Sequence, residues 1–126
     1  MLMVKRLNFS GEEIERMVDD LDGYVWIVMD IKKGIVAVGD EYVGKMKNAL
    51  MKQSCSIYNI FGVGFDLQTG EIDYYSSVNV KWVDKRSTKE APEMTRGRIE
   101  DLVRYFFVEL PVFKQVESNP RYSKGI

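Results

Sequence analysis

Ile14, Met17, Val18 and Leu21 recur at i, i+3, i+4 and i+7, the apolar stripe of an amphipathic helix. Ser10, followed three residues later by Glu13, forms a capping-box signature, and Phe9 stands at the hydrophobic-staple position. Asp22-Gly23 stops the pattern, which predicts a helix over 11–21. Two β-branched runs follow, Tyr24 to Ile31 and Ile35 to Val38, joined by the basic turn Lys32-Lys33-Gly34. They read as a hairpin. Asp40 suits the N-cap of a helix over about 41–52, which would bury Tyr42 or Val43, Met46, Ala49 and Leu50.

A longer alternation comes next. A strand from about Ser56 to Leu67 has Ile57, Phe61, Val63, Phe65 and Leu67 on one face and Tyr58, Ile60, Gly62 and Gly64 on the other. The turn Gln68-Thr69-Gly70-Glu71 leads to a strand over about 72–83, with Ile72, Tyr74, Val78, Val80 and Trp82 together. Asp84 to Ala91 is a polar loop. Pro92 suits the first position of a helix carrying the stripe Ile99, Leu102, Val103, Phe106 and Leu110, which Pro111 is expected to end. The elements run α-ββ-α-ββ-α. They predict an α+β domain over 1–116, in which two hairpins form one four-stranded antiparallel sheet with the helices mainly on one face. Residues 117–126 read as a flexible C-terminal tail. The element order resembles that of roadblock and profilin-like small domains, minus one strand.

Composition narrows the chemistry. The 126 residues suit one domain able to bury about two-thirds of its surface. There is no histidine, which excludes Ser-His-Asp and Cys-His catalysis within the chain and the usual zinc sites. The single cysteine, Cys55, excludes an internal disulfide and agrees with a reducing cytoplasm. As a thiolate nucleophile it would need a base or a strong positive field; a packed, inert cysteine is the simpler reading. The net charge of −1 makes a general nucleic-acid binder unlike this chain. No apolar run is long enough to span a membrane and the first eight residues lack a signal-peptide core, so the expectation is a cytoplasmic protein.

The stretch Gly23 to Glu41, GYVWIVMDIKKGIVAVGDE, resembles the core of a family of short prokaryotic proteins known only as a domain of unknown function. Phe61-Gly62-Val63 and Arg86-Ser87 extend the resemblance over about 23–107, with Tyr42 where the family has a histidine. That family implies no activity and no cofactor.

Three constellations remain as candidates. Asp30, Asp40, Glu41 and Asp66, with Asp73 nearby in sequence, would hold a magnesium or manganese ion if they converged, as in a metal-dependent hydrolase or nuclease. Lys85, Arg86, Ser87 and Arg96, before and within the last helix, would receive a phosphate or other anion, as in a nucleotide sensor. Finally, the first strand is apolar on both faces. With helices on one side only, Tyr24, Trp26, Val28, Tyr58, Ile60 and Tyr75 gather on the other, a patch rich in interface-type aromatics. The leading expectation is therefore a non-catalytic module that self-associates as a homodimer.

Overall fold

The capping box forms as the sequence predicts in the computed structural model, which describes residues 1–39, 42–74 and 93–118. Ser10 Oγ accepts the Glu13 backbone N–H at 3.1 Å, and the Ser10 N–H donates to Glu13 Oε1 at 2.8 Å. That backbone donor, helped by the Lys5 ammonium at 3.1 Å, holds the Glu13 carboxyl below its ordinary pKa. Helix α1 then runs Gly11–Asp20 and buries Ile14 and Met17.

Among the described residues the sheet has five strands, where the sequence pattern predicts four. Strands β1 (Leu2–Lys5), β2 (Tyr24–Asp30), β3 (Ile35–Gly39), β4 (Ile60–Asp66) and β5 (Ile72–Asp73) lie in the order β1-β3-β2-β4-β5, every neighbour antiparallel. The added strand is β1, four residues pairing Leu2 with Gly39 and Lys5 with Val36 at one edge. Helix α2 is Val43–Met51, its N-cap position filled by Tyr42, with no side-chain cap bond. The expected strand start at Ser56 is a 3-10 turn, Ile57–Asn59, capped by Ser56 Oγ. Most of the expected fourth strand, 75–83, lies outside the described residues.

Helix α3 (Glu93–Phe106) carries the expected stripe as far as Phe106; Leu110 lies beyond its end, in the connection to the next helix. Pro111 does not end that helix; it opens another, α4 (Pro111–Ser118), where its missing N–H costs nothing.

The helices cover both faces, contrary to expectation. Val25, Ile27, Met29, Val36, Val38, Val63 and Phe65 point to one face and join Ile14 and Met17 of α1 and Ile99, Val103 and Phe106 of α3. Val28, Ile35, Ala37 and Ile60 point to the other, under Met46 and Leu50 of α2. A first strand that is apolar on both sides is the signature of a strand buried on both sides. Leu50 and Met46 are both fully buried, and each such side chain contributes about 1.5–3 kcal/mol relative to exposure.

Two hairpin turns of the same construction join β2 to β3 and β4 to β5. Each begins with an aspartate at a strand end and closes on a glycine four residues later: Asp30 to Gly34, and Asp66 to Gly70. In each, the aspartate Oδ1 accepts two backbone N–H groups, from Lys32 and Lys33 at 2.9 Å and from Gln68 and Thr69 at 2.8 and 3.2 Å. The glycine N–H then donates to the aspartate carbonyl, at 2.9 Å for Gly34 and 2.8 Å for Gly70. Both glycines take positive φ, +70° and +77°, which L side chains adopt only with strain.

Candidate functional site

The carboxylates do not converge. Asp30 lies opposite Ile60 and Asp66 opposite Tyr24, so the two sit at opposite ends of the β2–β4 ladder. Six residue steps separate them, roughly 20 Å at strand rise. Both spend Oδ1 on their own turns, and Asp73 Oδ2 accepts a bond from the Tyr24 hydroxyl at 3.2 Å. No group of three or more potential metal ligands occurs among the described residues. Asp40 and Glu41 lie outside them, as do Lys85, Arg86 and Ser87 of the anion candidate. Arg96 is described: it belongs to α3 and stacks 5.7 Å from the Tyr74 ring centroid.

The aromatic patch is divided by α2. Val28 is fully buried and Ile60 only 3% exposed, so neither is presented to a partner. Tyr58 is 62% exposed but lies beyond Ile60, at the far end of the ladder from Tyr24. Tyr75 lies outside the described residues. What remains together is Tyr24, 39% exposed, and half-buried Trp26, in edge contact with ring centroids 5.9 Å apart. Trp26 stands between two glycines, Gly39 on β3 and Gly64 on β4. A Cβ at Gly64 would come within 1.9 Å of the Tyr24 hydroxyl, so the Tyr24 side chain lies across the space this glycine leaves open.

Cys55 and Asp30 face one another beneath the end of α2. Asp30 is fully buried, and its Oδ2 has no hydrogen-bond partner by geometry. Burial pushes the Cys55 thiol up to about 11, and the neighbouring Asp30 carboxylate adds to the rise; Lys33 and Arg6 oppose it more weakly. The thiol is thus held protonated, the opposite of an activated nucleophile.

Around this pair lies a set of cations that the sequence pattern did not bring together. Lys33 Nζ donates to the Ser54 carbonyl at 2.8 Å, Arg6 Nη2 to Gln53 Oε1 at 3.0 Å, and Arg98 Nε to the Ile31 carbonyl at 2.8 Å. Lys32 shares the hairpin turn, and Lys52 follows the last residue of α2. These residues come from four distant stretches of chain, so no window shows the cluster. The legible hint was the lack of any acidic residue between Glu41 and Asp66, where Lys45, Lys47 and Lys52 fall.

The sequence profile of a family described as a protein of unknown function matches residues 3–106. The chain belongs to DUF5674. The DUF5674 region takes in all five strands, both aspartate-glycine turns, and α1 to α3, leaving α4 beyond its end. No curated protein and no solved structure matches the chain.

Proposed function

We propose that this DUF5674 protein is a non-catalytic interaction module that associates with a second copy of itself through the Trp26 end of its sheet. The observation that carries the reading is the Tyr24–Trp26 pair, in edge contact on β2 toward the end away from Asp30, with Tyr24 exposed and Trp26 half-buried. Two large aromatics supply interface area at low entropic cost, and a copy of the same surface offers matching rings under two-fold symmetry. The Tyr24 hydroxyl also donates to Asp73 Oδ2 at 3.2 Å. The two described members of the carboxylate set being used in separate turns also favours binding over metal-assisted hydrolysis.

Sedimentation equilibrium tests the reading. The parent chain is expected as a dimer at tens of micromolar, with Trp26→Glu and Tyr24→Ala both shifting the mass toward monomer. A monomeric parent at that concentration would end the proposal, as would two variants that fold and remain dimeric.

A further inference from the structure

The chain's net charge of −1 is an average over two unlike regions. Helix α1 and the turn after it expose Glu12, Glu15, Asp19, Asp20 and Asp22, against Arg16 alone. Arg6, Lys32, Lys33, Lys52 and Arg98 are all exposed at the end of the sheet where α2 terminates. Arg6, Lys33 and Arg98 are tied to the fold by bonds to Gln53, Ser54 and Ile31, all made to neutral oxygens. None of the five is ion-paired to a carboxylate among the described residues. Asp30 lies beneath them and is fully buried. Each cation therefore keeps N–H donors for an external acceptor.

We infer that this basic end binds single-stranded nucleic acid through its phosphate backbone. The cations come from separate segments, and Arg6, Lys33 and Arg98 are each held by a different oxygen, so they suit a run of phosphates better than one isolated anion. Arg6, Lys32, Lys33 and Lys52 sit outside the helices and Arg98 near the start of α3, so the set is not carried by one helix or ribbon shaped to enter a duplex groove. Two features beside them suit unstacked bases. Tyr58, next to the residue whose carbonyl accepts the Ile31 N–H, is 62% exposed. A shallow cavity of about 360 Å3 borders Arg6 and has Val4 and the 69%-exposed Leu7 in its wall. Basic grooves with an aromatic platform are the common means of holding single strands without sequence preference.

The test is fluorescence anisotropy with labelled 12-nucleotide uridine and thymidine homopolymers, read at several salt concentrations. With four phosphates neutralised, affinity is expected to fall about 50-fold between 50 and 200 mM salt. Removing one contact by Lys33→Glu or Lys52→Glu should reduce that factor to about 18-fold. The Lys52 side chain makes no hydrogen bond or ion pair among the described residues, so its variant keeps the test sound if Lys33→Glu unfolds. Tyr58→Ala should weaken binding at least fivefold with the salt slope unchanged. Arg16→Glu, an equal charge change on α1, should leave binding intact. No anisotropy change at 50 mM salt would overturn the inference. So would indifference to both lysine reversals, or binding to phosphatidylserine vesicles without binding to either oligonucleotide.

Discussion

Replacing Asp30 separates two things the residue does at once. Its Oδ1 holds the Lys32 and Lys33 N–H groups of the first hairpin turn, while its Oδ2 is a buried oxygen with no geometric partner beside the Cys55 thiol. Hydrogen bonds to a charged acceptor contribute about 1.5–3 kcal/mol each, so losing both in Asp30→Ala would cost about 3–6 kcal/mol. Removing an uncompensated buried oxygen returns about 1–3 kcal/mol, which leaves a net loss of about 3 kcal/mol. Asp30→Asn keeps an acceptor at Oδ1 and puts an amide where Oδ2 was. It forfeits charge assistance but also removes the buried anion, and should fall within about 1 kcal/mol of the parent. Urea unfolding at fixed pH, with m compared across the three proteins, measures both changes. Equal stability of the alanine and asparagine variants would refute the argument, because the turn would then owe nothing to its two Oδ1 bonds.

The same chemistry predicts how Cys55 titrates and how the turns tolerate substitution. With its thiol at about 11, Cys55 should carry on the order of a hundredfold less thiolate at pH 8 than an unperturbed cysteine. Alkylation of the native chain should therefore accelerate about tenfold per pH unit until about 11. Because the folded thiol keeps its proton where the unfolded one loses it, stability is fully present below about pH 9 and lost as pH rises through about 11. A native alkylation midpoint near 9 would contradict this account. At the glycines, Gly34→Ala should cost about 1 kcal/mol from backbone strain alone, since its Cβ would meet Leu102 Cδ2 at an ordinary contact distance of 3.9 Å. Gly70→Ala should cost clearly more in thermal unfolding, because its Cβ would meet the Phe113 ring at 2.6 Å; equal melting shifts would show that the ring yields freely.

The parts of the fold legible in the sequence were those fixed by local chemistry. The Ser10–Glu13 box, the Ile14–Leu21 stripe and the Lys32–Gly34 turn each depend on residues within one or two turns of chain. Strand β1 escaped because Leu2 to Lys5 is too short for an alternation to register, and its pairing partner, β3, lies more than thirty residues away. The division of the helices between faces escaped for a different reason. Lys45 and Lys47 flank Met46, so the apolar side of α2 reads weakly, although Met46 and Leu50 seal the face beneath it. Once α2 is on that face, Val28 and Ile60 belong to the interior, and the apolar reverse of β2 needs no partner at that end. The candidate site suffered from the same limit. Turn aspartates and metal-ligating aspartates look alike in one dimension, and only the register places Asp30 and Asp66 at opposite ends.

The matching construction of the two hairpin connections bears on the residues they carry. Gln68 and Thr69 occupy the places in the second connection that Lys32 and Lys33 occupy in the first, and both loops close on equivalent bonds. Closing the loop thus sets no requirement for a positive side chain at either place; the backbone amides alone do that work. Transplanting Leu67-Gln68-Thr69 into the first connection should yield a chain that folds with its architecture intact and simply lacks two charges. With them would go the Lys33 tie to the Ser54 carbonyl, while Lys32 turns its charge outward with no side-chain bond among the described residues.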